Sequence, residues 1–91
     1  MRLDKFLKVS RLIKRRTIAK EVCDAGRIQL NGRVAKAGSD ISVGDILEIA
    51  YGGKITEVEV LLVAESIKAS EAAEMYRIIS EKKITVDDII D

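Results

Sequence analysis

The sequence predicts a small α+β domain, with two N-terminal helices packed on a small antiparallel sheet and a further helix at the C-terminus. Two changes of period predict this class. Apolar residues recur at helical spacing up to about residue 25, alternate with polar residues in the middle of the chain, and return to helical spacing near its end. A chain of 91 residues is long enough for one domain with a modest core. We therefore expect residues 1–91 to form a single domain.

Two amphipathic segments predict the first two helices, over residues 2–9 and about 15–25. Each carries apolar residues at i, i+3 and i+4 or a similar helical spacing. Gly26 supplies the left-handed residue that commonly ends a helix. The predicted apolar stripes are Leu3, Phe6 and Leu7 in the first helix, and Ile18, Val22 and Ala25, with Ala19 and Cys23 beside them, in the second.

Four strands and their turns are predicted next. Ile28 and Leu30 alternate with polar neighbours, and residues 33–36 return as the partner strand. Asn31-Gly32 joins them and is a strong hairpin signal, because both residue types tolerate positive φ. The other two strands are residues 46–51 and 55–63, and Val58, Val60 and Leu62 share one face of the latter.

The end of the chain predicts a helix over residues 71–82, with Ser70 as its N-cap. Acidic residues in the first turn and lysines at the end match the helix dipole. Residues 85–91 could add one more helical turn. The stripe that would dock this helix on the sheet is Ala72, Met75, Tyr76 and Ile79.

Charge is distributed unevenly along the chain. The net charge is +1, yet residues 1–36 hold eleven basic and three acidic side chains, whereas residues 37–91 hold five basic and twelve acidic ones. A segment of net charge +8 in one small domain is typical of a surface that faces a polyanion. A solvated basic face without a partner is the alternative, but such faces usually mix their signs.

The residue inventory argues against an enzyme. Histidine, the commonest general base and metal ligand, does not occur. Cys23 lies on a predicted apolar face, which favours a buried and unreactive thiol. We expect no catalytic residue, no cofactor and no metal. The lone cysteine, the charged N-terminus and the lack of an apolar run of about 18 residues predict a cytoplasmic protein that does not enter a membrane.

The basic residues cluster where an anion would bind. Lys14-Arg15-Arg16 precedes the second helix, whose unpaired backbone N–H groups already favour an anion. Cations at this end oppose the helix dipole by about a few tenths of a kcal/mol each, which suggests a phosphate ligand. The chain has three aromatic residues, and Phe6 and Tyr76 are assigned to the core. We therefore predict folded RNA recognised by shape and backbone, not an unstructured single strand or a DNA groove.

The order of these motifs resembles the RNA-binding domain named after ribosomal protein S-four, also called the αL motif. The resemblance implies that about residues 1–50 form the motif core, which grips structured RNA, and that residues 51–91 complete the sheet and add the C-terminal helix. The matching stretches are RLDKFL at residues 2–7, KRRTIA at 14–19, GRIQLNG at 26–32 and VGDI at 43–46.

Within that class the chain is similar to the RqcP family of ribosome-associated quality control. The opening RLD, the KRRT run at residues 14–17 and AAEMY at residues 72–76 carry this similarity. It implies binding to large-subunit ribosomal RNA and peptidyl-tRNA, and assistance to a NEMF-type tailing factor (RqcH) that extends the stalled chain with alanine. We expect the protein to be a monomer.

By position, Arg2, Asp4 and Arg16 match the RNA-facing residues of that family. Asp4 has two interpretations. It either orients Arg2 or Arg16 through a charge-assisted hydrogen bond, or stabilises the first turn of its helix. The full set of residues predicted to face RNA is Arg2, Asp4, Lys5, Lys8, Lys14, Arg15, Arg16, Thr17, Lys20, Arg27, Asn31, Arg33 and Lys36.

Two other functions remain open from the sequence. A ribosome-assembly or translation-regulating rRNA-binding protein would use the same fold on a different RNA. The RNA-targeting domain of an RNA-modifying enzyme would need a catalytic part, which we do not expect in this chain. In each case the acidic second half should point away from the RNA, because like charges repel.

Overall fold

The computed structural model describes residues 1–84 and confirms the α+β class. Five strands form one antiparallel sheet in the order β2-β1-β3-β4-β5. None of the helices in this range is long and apolar enough to cross a membrane. The expected helical turn in residues 85–91 lies outside the described residues. The elements are α1 (Leu3–Val9), α2 (Arg16–Asp24), β1 (Ile28–Leu30), β2 (Arg33–Val34), β3 (Ile46–Tyr51), β4 (Lys54–Val60), a 3-10 helix (Ala69–Met75) and β5 (Tyr76–Lys83).

Both N-terminal helices bury one apolar face. The predicted stripe of α1 is confirmed, since Leu3, Phe6 and Leu7 have no exposed surface. In α2 the prediction was partly wrong, because Ala25 is the exposed C-cap residue and Ile18 is only half-buried. The spacing i, i+3, i+4 places the true stripe one step further round the helix. Its members are Ala19, Val22 and Cys23.

The Asn31-Gly32 hairpin forms as predicted. Both residues have positive φ, 51° and 85°, as a two-residue turn of the hairpin type requires. The partner strand β2 is shorter than expected, since only Arg33 and Val34 pair with β1. The side chain of Asn31 also fastens the hairpin to β3. Its amide donates to Asp45 Oδ1 (3.1 Å), and the Ile46 N–H donates to its carbonyl oxygen (2.9 Å).

The sheet has one buried and one charged face in β3 and β4. Leu47 and Val58 are register partners without exposed surface, and Val60 is buried as predicted. Leu62 is 41% exposed because β4 ends at Val60. Strand side chains alternate between faces, so Glu48, Glu57 and Glu59 lie on the face opposite the core.

The predicted helix over residues 71–82 is wrong. Residues Ala69–Met75 form a 3-10 helix, and β5 then pairs with β4 from Tyr76 opposite Val60 to Lys83 opposite Lys54. Ser70 lies inside the 3-10 helix, whose N-cap is Lys68. Without β5, the outer edge of β4 would leave a row of backbone groups unpaired, and this long-range pairing outweighs local helix propensity. Ala72 and Met75 are buried as expected, but Ile79 is 40% exposed.

Candidate nucleic-acid interface

A buried carboxylate lies at the junction of the two helices. Asp4, in the first turn of α1, is 3% exposed. Arg2 immediately precedes α1 and Arg16 is the first residue of α2, and both guanidinium groups donate to Asp4. We call these three residues the Asp4 cluster. Its hydrogen bonds are Arg2 Nε to Oδ1 (3.1 Å), Arg2 Nη2 to Oδ2 (3.4 Å) and Arg16 Nε to Oδ2 (3.4 Å).

The cluster keeps Asp4 ionised although it is buried. Burial raises the pKa of Asp4, but the hydrogen bond from Arg2, the charge and hydrogen bond of Arg16 and the Lys5 backbone N–H together outweigh burial. The pKa of Asp4 therefore lies below its ordinary value. Of the two interpretations of Asp4, the geometry favours orientation of the arginines, because the carboxylate bonds both of them.

The two arginines keep part of their surface for another ligand. The side chain of Arg2 is 55% exposed, and that of Arg16 is 49% exposed. A guanidinium has five N–H donors, and Asp4 uses two from Arg2 and one from Arg16. The remaining donors suit a phosphate, which arginine binds through charge-assisted and often bidentate hydrogen bonds.

The segment between the helices is anchored from within. Ser10 and Ile13 are each 1% exposed. The Ser10 hydroxyl donates to the Leu7 carbonyl (3.3 Å), and the Ile13 N–H donates to the same carbonyl (3.0 Å). Arg11 between them adopts φ 66°, and Lys14 is exposed. The anchored turn thus holds basic side chains at the surface next to α2.

Most of the other predicted cations are exposed. Within residues 1–84, none of these exposed cations has a carboxylate within 4 Å, so their charges are available to a polyanion. Thr17 is also exposed, and Lys8 is half-buried. The exposed predicted cations are Lys14, Arg15, Lys20, Arg27, Arg33 and Lys36.

Two predicted residues outside the Asp4 cluster, Lys5 and Asn31, also have partners inside the protein. Lys5 is half-buried and forms an ion pair with Glu65, which follows β4. The hydrogen bond and the charge of Lys5 lower the pKa of Glu65 below its ordinary value. The side-chain amide of Asn31 bonds Asp45 and the Ile46 backbone N–H, so its role in the hairpin is sufficient to explain an asparagine at this position.

Arg11 and Tyr51, which are outside the predicted set, lie beside it. Tyr51, at the end of β3, is 37% exposed and borders the same groove as Arg11 and Lys14. The sequence held a signal for Tyr51, because it is the one aromatic residue that belongs to no apolar stripe. No local pattern places it near the helix junction, since about 40 residues of chain separate them.

Cys23 is the buried thiol that the sequence predicted, with no exposed surface. Burial, together with the charges of Asp4 and Asp24, raises the pKa of its thiol to about 11. A thiol in this environment stays protonated at neutral pH and is a poor nucleophile. Within residues 1–84, no three side chains of the His, Cys, Asp and Glu types are grouped to hold a metal ion.

Residues 1–47 match the family model of the S4 domain, which makes this chain an S4-domain protein. It is 57% identical over 84 residues to the RQC P-site tRNA stabilizing factor of Bacillus subtilis (strain 168), a match that covers 92% of this chain and 98% of that protein. The factor of the same name from Streptococcus pneumoniae is 56% identical over 84 residues, covering 92% and 96%. The chain belongs to the family of RQC P-site tRNA stabilizing factors.

A solved structure supports the same assignment of fold. Heat Shock Protein 15 of Vibrio cholerae, which was solved as a trimer, superposes with a TM-score of 0.80 at 25% sequence identity. The match covers 99% of this chain and 86% of that one. The resemblance to the S-four class and to the quality-control branch, inferred from the sequence, is confirmed.

Proposed function

We propose that this protein binds RNA of the large ribosomal subunit together with peptidyl-tRNA in ribosome-associated quality control. The observation that carries the proposal is the Asp4 cluster, which holds two half-exposed guanidinium groups at the junction of α1 and α2. Relatives that are 52% to 57% identical are named for stabilising P-site tRNA, and this supports tRNA as one of the two RNAs.

The cluster would act by preorganisation. Asp4 holds both guanidinium groups in place before RNA arrives, so less side-chain entropy is lost when a phosphate binds. Because Arg2 precedes α1 and Arg16 begins α2, the two arginines can contact neighbouring phosphates of one strand or of two RNA molecules. The exposed cations of α2 and the hairpin would contact further phosphates and release their counterions.

In this proposal the protein supplies binding, and a NEMF-type tailing factor (RqcH) brings alanyl-tRNA to the particle. A peptidyl-tRNA held firmly in the P site would stay aligned while alanine residues are added to the stalled chain. We propose that the protein acts as a monomer in the cytoplasm. The residues proposed to face RNA are those predicted from the sequence, with Arg2, Asp4 and Arg16 at the centre and with Lys5 and Asn31 in secondary positions.

The test compares two arginines that are each about half exposed and each paired with a carboxylate. Arg16→Ala should lower binding to large subunits that carry peptidyl-tRNA by about tenfold, the effect of losing one charge-assisted contact. Arg77 pairs with Glu59 on the sheet at 2.8 Å, and Arg77→Ala should change binding less than twofold. Binding is measured by co-sedimentation of the full chain with purified particles. Equal losses in the two variants would contradict the proposed surface.

The identity of the cargo needs a separate measurement. The tagged protein is purified from cells, and the associated RNA is sequenced. Free large subunits that carry peptidyl-tRNA are the expected cargo. Recovery of assembly intermediates or of mRNA in their place would contradict the proposal and favour an assembly or regulatory factor on the same fold.

A further inference from the structure

An open groove of about 560 Å³ lies beside the helix junction, and we call it the Tyr51 groove. No member of the Asp4 cluster lines it. Tyr51 also borders a second hollow that reaches Arg27 and Glu21, and a third between Arg11 and β5. The residues that line the groove itself are Arg11, Leu12, Lys14, Arg15, Ile18 and Tyr51.

The walls of this groove combine two kinds of chemistry. Leu12 and Ile18 are half-buried, and with the exposed part of Tyr51 they form an apolar and aromatic surface. Its rim carries three exposed cations, and none of them has a carboxylate within 4 Å among residues 1–84. The volume falls in the range of about 300–1,000 Å³ that is usual for small-ligand sites.

The cationic rim is held in place. Arg11 adopts φ 66°, a left-handed conformation that is unfavourable for residues with a Cβ atom. Glycine or asparagine would fill this turn with less strain. The buried neighbours Ser10 and Ile13 fix the turn on both sides. An arginine kept at a strained and anchored position favours a role for its side chain.

We propose that the Tyr51 groove binds one unstacked nucleotide from a loop or bulge of a folded RNA. The base would lie against Tyr51 between the two apolar walls, and its phosphates would meet Arg11, Lys14 and Arg15. Proteins read splayed-out RNA bases by this combination of aromatic stacking and cationic backbone contacts. An acidic peptide would satisfy the cations, but a base also supplies the flat surface that an aromatic ring stacks on. The groove contains no member of the Asp4 cluster, but it shares Lys14 and Arg15 with the surface proposed to face RNA, so this inference rests on the proposed function.

Intrinsic fluorescence tests the groove directly. The chain has no tryptophan and two tyrosines, so Tyr76→Phe leaves Tyr51 as the only strong fluorophore. The full chain carrying this substitution is titrated with hexa-adenylate RNA, with inorganic phosphate and with a polyglutamate peptide. The RNA should quench Tyr51 saturably, and the other two should not. Quenching by polyglutamate to the same extent, or no quenching by RNA, would overturn the proposal.

Substitutions at Tyr51 provide an independent readout. Tyr51→Ala should weaken hexa-adenylate binding about tenfold, within the range known for loss of one base–aromatic stack, whereas Tyr51→Phe should stay within twofold. Val43→Ala is the matched control, because Val43 is 59% exposed and lies outside the groove. If Tyr51→Ala folds and binds as well as the original chain, the groove is not a nucleotide site. The Arg16→Ala result on ribosomal particles is unaffected by that outcome, so the two proposals fail separately.

Discussion

Asp4 is almost fully buried, yet its carboxylate is ionised and pairs with two half-exposed arginines. Burial of a carboxylate is unfavourable, and ion pairs with solvent-exposed partners offset only part of the free energy of desolvation. The arrangement therefore contributes more to the orientation of Arg2 and Arg16 than to the stability of the fold. A carboxylate at this position is compatible with a polyanion ligand because its charge is already neutralised by the arginines.

Asp4→Asn should lower the free energy of unfolding at pH 7 by about 1–2 kcal/mol, since the arginines lose the negative charge and one of the two acceptor oxygens of their partner, while both arginines can rehydrate. The pKa of Asp4 is lowered in the folded state, so its contribution is complete above the unfolded value of about 3.9 and is lost as the pH falls through the folded value. Urea unfolding between pH 7 and pH 3 measures this. A gap between the two proteins that does not shrink below about pH 4 would contradict the assignment.

At the scale of single elements, the end of α2 determines where the hairpin starts. The Gly26 N–H donates to the Cys23 carbonyl (3.0 Å), and the Arg27 N–H donates to the Val22 carbonyl (3.2 Å). These two bonds form a Schellman cap, in which the residue after the C-cap is left-handed. Gly26 has φ 75°, and this change of chain direction ends α2 and leads through Arg27 into β1.

Gly26→Ala should therefore lower the free energy of unfolding by about 1–2 kcal/mol, the usual penalty for a left-handed residue with a Cβ. Gly38→Ala is the matched control. Gly38 does not have positive φ, and a Cβ there would meet the Arg2 guanidinium at 3.7 Å, an ordinary contact. Urea unfolding should show a change of less than about 0.5 kcal/mol for the control. Similar losses in both variants would show that the left-handed cap is not the cause.

Across the whole molecule, the sheet sets part of the acidic charge apart from the helices. The helices and hairpin present the basic residues, while Glu48, Glu57 and Glu59 project from the face of β3 and β4 opposite the core. An RNA bound to the helical side, as proposed, would be kept apart from these three carboxylates. The net charge of +1 does not reveal this arrangement, because it sums acidic and basic residues that lie on different parts of the surface.

RNA binding should weaken steeply with added salt, because several phosphate contacts release counterions. Lys20→Ala should reduce the slope of log affinity against log salt concentration by about one, as expected for the loss of one phosphate contact. Lys68→Ala makes the same change of charge at an exposed lysine outside the set of residues proposed to face RNA, and should leave the slope unchanged. Titrations of a structured ribosomal RNA fragment at several salt concentrations supply the slopes. A shallow slope for the original chain would argue against a phosphate-led interface.

The resemblance to the family supplied the centre of the candidate site. Arg2, Asp4 and Arg16 were identified because they match RNA-facing positions of that family, and the structure brings all three within hydrogen-bonding distance. Local sequence could not reveal that Lys5 pairs with Glu65, because these residues are sixty positions apart. The proximity of Tyr51 to α2 was not predicted for the same reason, since it depends on where β3 ends relative to α2.

By itself, the sequence determined the elements whose signals are local: α1 and α2 with their basic N-terminal segment, the Asn31-Gly32 turn and the left-handed stop at Gly26. Each follows from side-chain spacing or from the φ that a residue can adopt. The tertiary structure alone decided that residues 76–83 are a strand. Residues 71–82 do carry apolar side chains at helical spacing. The edge of β4, however, provides backbone hydrogen bonds along its whole length, and these favour a strand. Pairing between distant segments can override local propensity, and nothing within residues 71–82 records where that edge will be.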